Sequence, residues 1–376
     1  MGRQPALVLR VAVAALALTV SPHWAMTDLG TLTGNATDES SAVAITSGGL
    51  VVGESDSGYL DTRAVVWRSG KWRPLPGIGS ATRVNAVNDR GLIVGSADTR
   101  SHRGVPVAWR DGKLVRLPVP RGIVWAEAMA VSPGGLIAGR GFGAHREHAF
   151  LWTGGRVRDL GAAISPQPEP SPVVVGITDA PMIVWNSASD NLTGQGRQID
   201  SHVFVWQNGR ARALFPLSAD SEAELVSPRG DVVGWHMVGK ARRAFLWRGG
   251  PPTDLPGVDA VANGINASGD IVGAAGGDAA LWHDGSLRDL GTLGGSGSSA
   301  SAINDRGEVV GSSDTASGDT HGFVWEDGRM TDLGVLSDTA DARRSEADAI
   351  NAQGTIIGTS RTRAGFDVAV LWTPRP

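Results

Sequence analysis

The chain has no cysteine among its 376 residues, which excludes disulfide scaffolds, thiolate nucleophiles and Cys-ligated zinc or iron–sulfur centres. It also lacks an excess of charge: 34 Lys and Arg face 38 Asp and Glu, a formal net charge of -4. The basic coat that neutralises phosphate backbones is therefore missing, and no nucleic-acid partner is expected. Helical periodicity is absent, with no apolar stripe at 3.6-residue spacing. No Gly-x-Ser-x-Gly elbow and no His-Glu-x-x-His pair occurs. The glycine-rich stretch 291–297 does not join a strand to a helix, so it is a poor phosphate cradle, and no cofactor is implied. What remains is 52 Gly and 20 Pro within a chain that is 41% hydrophobic and holds 13 Trp. That is the composition of a folded, turn-rich protein rather than a disordered one.

The one long apolar run lies at the start. Arg3 and Arg10 precede Val11 to Val20, followed by Pro22 and Ala25, the pattern of an export leader over residues 1–25 with cleavage expected after Ala25. A core of about ten residues is too short to cross a ~30 Å hydrocarbon layer as a helix, so no permanent membrane span is expected. The mature chain, residues 26–376, is read as one domain, secreted or associated with the cell envelope.

A fixed period organises that domain. A tryptophan closing a short apolar run recurs at Trp67, Trp109, Trp152, Trp206, Trp247, Trp282, Trp325 and Trp372, at spacings of 35 to 54 residues. Units of this size suit four-stranded propeller blades. The seventh unit shows four runs rich in Val, Ile, Phe and Trp, separated by Asn304-Asp-Arg-Gly307 and Asp327-Gly328. Asn can bond its own backbone and Gly can take positive φ, so both segments read as tight hairpins. Asn88, Asn266 and Asn351 open matching turns. Seven units end their second run in Gly, a sign of crowded backbones, and Trp185 stands at that position in the fourth. The eighth unit lacks a fourth run, while Met26-Thr-Asp-Leu-Gly30 repeats Met330-Thr-Asp-Leu-Gly334 at the other end. The expected fold is an all-β, eight-bladed propeller of four-stranded antiparallel blades, its last blade completed by the N-terminal strand. Closure removes the open edge, and a monomer is expected.

The Ala-Ile-Asn turns, the Val-Val-Gly runs, His148-Ala-Phe-Leu-Trp152 and Asp289-Leu-Gly-Thr-Leu-Gly-Gly295 resemble the extracellular HAF repeat family, over residues 26–376. That resemblance implies a secreted, repeat-built ring and carries no catalytic residues with it.

Candidate chemistry is sparse. His148, His202 and His321 each stand four residues before a Trp, but equivalent positions on separate blades are too far apart to share one metal, so these are read as structural. Asp28, Asp159, Asp254, Asp289 and Asp332 recur in Asp-Leu runs and read as turn-capping groups. In a meander, the second-to-third turns and the inter-blade connections share one face, and variable loops on a rigid scaffold carry binding groups. On that face Trp235, His236, Arg140, Trp185, His102, Tyr59 and Arg361 are the candidate ligand-binding residues, with Arg100, Trp125 and His145 nearby. The function expected is a binding module for a protein, peptide or glycan. The alternatives are a propeller-type lyase or hydrolase with its site at the loop mouth, using His236, His102, Arg140 and Arg361, and a purely structural envelope protein.

Overall fold

The β-branched and aromatic runs form strands, and the Asn/Asp-Gly segments between them form hairpins. A computed structural model of the chain describes residues 24–58, 61–99, 101, 103–143, 146–162, 171–193, 196–339 and 342–375. Among the described residues, 32 strands make eight four-stranded antiparallel sheets. Blade 1 spans 40–74, blade 2 82–116, blade 3 123–162, blade 4 171–213, blade 5 221–254, blade 6 261–289, blade 7 294–332, and blade 8 345–374 with 24–28. The first strands of successive blades touch one another around the whole ring, and those of blades 8 and 1 also meet. The sheets therefore radiate from an axis lined by first strands, as an eight-bladed β-propeller.

The turns work as the sequence suggests, and more. Asp111, Asn208, Asp284 and Asp327 take φ of 48–54°, each followed by a Gly at 74–85°, the paired left-handed geometry of a two-residue hairpin. In the first-to-second turn, Asn88 Oδ1 accepts the amides of Arg90 and Leu92 at 3.1 and 3.0 Å. Its Nδ2 donates to the Ser132 carbonyl of the next blade at 2.9 Å. Asn266, Asn304 and Asn351 reach across in the same way to Asn304, Asn351 and Thr46 at 3.2, 3.1 and 3.3 Å. The last of these joins blade 8 to blade 1. A turn residue in the sequence is thus also an inter-blade clamp.

The recurrent tryptophans are wedges between blades. Trp109, Trp152 and Trp282 are buried and donate their indole N–H to the carbonyls of Pro76, Pro118 and Pro256 in the connection before their own blade, at 2.8, 2.6 and 2.7 Å. Blade 1 differs: Trp67 is half-buried and meets the buried Trp72 edge-on at 5.4 Å.

The closing strand is Trp24–Asp28, paired antiparallel with Asp367–Pro374 from Trp24↔Pro374 to Asp28↔Val370. The sequence places this strand at 26–30; it starts two residues earlier. The reason is packing, because Trp24 is only 4% exposed and fills the cluster containing Val310, Leu333, Ile356 and Trp372. Trp24 and Ala25 therefore belong to the last blade, although the expected cleavage point would assign them to the leader.

The second-strand glycines are explained by a bulge. In blade 1, Ala42 faces Gly53 and Ala44 faces Val52, leaving Val43 as an extra residue in the first strand. All eight blades repeat this shift. A methyl on Gly53 would strike the Ser41 carbonyl oxygen, and one on Gly358 that of Glu346. The crowding read from the sequence is real, but it arises from this extra residue rather than from strands converging on the axis. Trp185 keeps the same register opposite Val174, so neither the fourth unit nor the short sixth breaks the eightfold pattern.

Candidate functional site

The bulge positions the interior. Asn85, Met129 and Val175, the extra residues of blades 2, 3 and 4, together with Val226 and Pro228 of blade 5, bound a cavity of about 330 Å³. Four consecutive blades share only the axis, so the bulge residues line a central channel. In blades 5 and 8 the first strands read Ser221-Glu-Ala-Glu224 and Ser345-Glu-Ala-Asp348, a pattern the other blades do not share. Ser and Ala are buried, and the two acids lie together on the accessible side. The first strands of all eight blades carry five carboxylates, Glu127, Glu222, Glu224, Glu346 and Asp348, against one guanidinium, Arg83. The channel wall is acidic.

Two of these carboxylates, Asp348 and Glu224, are not in ordinary water. The protein surrounding Asp348, with the charge of Glu346 two residues away, pushes its carboxyl up to about 7, even though the side chain keeps access to the channel. Burial also raises Glu224, and Glu222 adds to it; the Trp235 indole and Arg242 act in the opposite sense. Arg344 bonds Glu346 at 2.6 Å. Glu127 is held by Arg140 Nε at 2.8 Å, and Arg140 also donates to the Pro172 carbonyl of blade 4 at 3.2 Å.

The loop face around the channel is uneven. Ten large apolar side chains are exposed among the described residues, and seven lie on this face between the connection into blade 3 and the connection into blade 6. Blade 3 contributes Val124 and Phe142, blade 4 Val173, and blade 5 Val238; the connections contribute Val119, Leu217 and Val258, the last 63% exposed. Of the other three, Val43 is a bulge residue of the channel, and Val115 and Leu287 sit on outer strands. At the junction of blades 8 and 1, by contrast, a cleft of about 250 Å³ is lined only by carboxylates and hydroxyls, among them Glu39, Glu54, Asp56 and Asp367. One sector of the loop face is apolar, and the opposite sector is acidic.

The residues expected to form the site scatter over this frame. Tyr59 and His102 lie outside the described residues, as do Arg100 and His145. Trp185 is 2% exposed and stacked on Phe204 at 5.6 Å, inside the core between blades 3 and 4, so it is a packing residue and not a ligand contact. The Gly-equivalent position points into the sheet stack, which is why it cannot reach the mouth. Arg140 and Trp125 do meet at the inner rim, the guanidinium 5.4 Å from the ring centroid. Trp235 is half-buried beneath Arg242 at 4.6 Å. Arg361 pairs with Asp367 at 3.0 Å beside the acidic cleft, and that carboxylate and Glu39 stabilise its charged form.

His236 bonds Asp254 of its own blade at 2.7 Å and stacks on Phe215 at 4.4 Å. His148–Asp159 and His321–Asp332 are ion pairs of the same residue types in blades 3 and 7, both at 2.9 Å, but their histidines stand on the third strand, whereas His236 reaches the fourth strand from the second. In blades 3 and 7 the pair pins the fourth strand to its neighbour, while in blade 5 Asp254 is held by a second-strand histidine. Asp28, Asp289 and Asp332 also accept the amide of the Gly two residues on, each at 2.7 Å, the capping role their repetition suggests. Sequence reasoning missed Glu222, Glu224, Glu346 and Asp348. The signal was present: a Ser-Glu-Ala-acid run in two units out of eight, where the position of its second acid is small, amide or apolar in the others.

No protein-family model and no curated protein sequence matches the chain. Among solved structures, a puromycin-hydrolyzing peptidase of Mycobacterium tuberculosis is 13% identical, over 89% of this chain and 66% of its own length, with a TM-score of 0.49. TolB of Acinetobacter baumannii is 13% identical over 61% of this chain and 57% of its own, with a TM-score of 0.36. The β-propeller domain of the trilobed protease of Pyrococcus furiosus is 13% identical over 77% and 95%, with a TM-score of 0.47. The chain spans less than two thirds of the first two. These likenesses concern architecture only. Among the described residues, no helix is long and apolar enough to cross a membrane.

Proposed function

We propose that the protein is a secreted, monomeric binding module of the HAF repeat type, working at or beyond the cell envelope and engaging a macromolecular ligand on its loop face. The leader-like residues 1–25 and the repeated motifs support export and the family reading. One observation carries the binding reading: exposed apolar side chains gather in one sector of the loop face, while the opposite face consists of short turns bonded from blade to blade. Apolar exposure concentrated on one side of a stable scaffold suits an interaction surface. The test is a peptide and glycan array probed with the chain from Trp24 to Pro376, the Phe142→Ser/Val258→Ser variant and Leu287→Ser on an outer strand. The expected result is captured ligands lost in the double variant and kept in Leu287→Ser. Ligands indifferent to Phe142 and Val258, or no ligand at all, would contradict it.

A further inference from the structure

Resting on this loop-face reading, we infer that the sector over blades 3 to 5 receives a polypeptide segment of another protein in which a Lys or Arg side chain is flanked by apolar ones. The channel mouth sets the pattern. Its wall in blade 4 is apolar, with Val173 43% exposed and Val175 beside the axis. Blade 3 flanks it with Glu127 and blade 5 with Glu222 and Glu224. Arg140 already holds Glu127, so the excess negative charge lies in blade 5, where Glu222 and Glu224 share the accessible side of one strand and the Trp235 indole and Arg242 offset part of it at Glu224. A cationic side chain reaching into the mouth offsets that repulsion. Its neighbours along an extended segment then meet Phe142 on one side and Val238 or Val258 on the other. Charge complementarity of this kind selects partners as well as holding them.

Other occupants fit less well. A sugar needs an open aromatic face, and both nearby indoles are covered, Trp125 by Arg140 and Trp235 by Arg242. An anionic membrane surface would meet the acidic mouth with like charge. A second copy would bring the same five carboxylates to the contact.

The probe is a fluorescein-labelled peptide of about twelve residues in which Lys alternates with Leu and Val, compared with a twin carrying Glu for Lys, by fluorescence anisotropy with the chain from Trp24 to Pro376. The Lys probe is expected to bind at least about ten-fold more tightly than its twin. Glu222→Gln/Glu224→Gln should reduce that preference to about two-fold, and Phe142→Ser/Val258→Ser should weaken the Lys probe about ten-fold. Both variants should keep the wild-type urea midpoint, since they alter accessible side chains, and Leu287→Ser should bind like wild type. Equal affinity for the two probes, no binding of either, or a charge preference that survives the double Gln change overturns the inference. Array ligands that need Phe142 and Val258 but show no preference for basic segments would sink this inference and leave the loop-face reading standing.

Discussion

Deleting residues 24–28 is expected to destabilise the protein by at least about 4 kcal/mol and to cause aggregation. The deletion removes Trp24, which is buried in the blade 8 cluster, and truncating a buried Trp alone typically costs about 3–5 kcal/mol. It also strips the partner from Asp367–Pro374, exposing a row of unpaired amides and carbonyls beside Trp372. The loss spreads to blade 1, because the segment leaving this strand is tied there: the Gly30 carbonyl accepts both the Trp72 indole at 3.0 Å and the Ser40 hydroxyl at 2.6 Å. Urea titration with size-exclusion chromatography reads both effects. An unchanged midpoint in a deletion that elutes as the intact protein does would remove the basis for ring closure.

Gly358→Ala is expected to cost about 3 kcal/mol, more than any other single methyl added to a turn or strand of this blade. The new Cβ would collide with the backbone carbonyl of Glu346, and neither partner is the end of a flexible side chain that could move aside. Relief requires the first strand to move away locally, as it does where Trp185 takes this position in blade 4, and that would displace Asp348 along the channel wall. Gly48→Ala is the control: its methyl meets only the Thr46 hydroxyl, at 3.9 Å, and its midpoint should stay within about 0.5 kcal/mol of wild type. Equal midpoints for the two variants would mean that the glycine is not required by the bulge.

The fold was legible because it is written eight times. A single Asn-x-x-Gly or Asp-Gly is a weak signal, but the same turn at the same offset from a Trp fixes four strands per unit, and the repeated Met-Thr-Asp-Leu-Gly shows where the missing strand lies. Repetition could not show the boundary of that strand. Trp24 has no counterpart in the parallel segment before Met330, and only the cavity it fills reveals its place. The bulge was hidden for a related reason: the sequence shows that glycine recurs, while the cause is an extra residue on the partner strand, which no local pattern marks.

The site was less legible because it resides in the departures from the repeat. Reading Trp185 as a mouth residue treated a departure as exposure, whereas the inner face of the sheet accommodates it against Phe204. Glu224 and Asp348 are departures of the other kind, acids at a position otherwise small, amide or apolar, and the bulge turns that position toward the axis. The apolar loop sector had no sequence signature at all. Val119, Leu217 and Val258 are ordinary residues in unrelated connections, and only the ring brings them to one side.

The head-to-tail join can be tested by a single covalent link, since the chain contains no cysteine to compete. Thr27 and Leu371 are directly paired across the closing strands, and antiparallel partners lie within about 4.5–5.5 Å, inside the reach of a disulfide. Thiol titration of the oxidised Thr27→Cys/Leu371→Cys protein should find no free thiol in a monomeric species, with peptides from the two ends of the chain joined. Two reactive thiols in the folded monomer, or a disulfide formed only between molecules, would mean that the ring is not closed by its N-terminal strand.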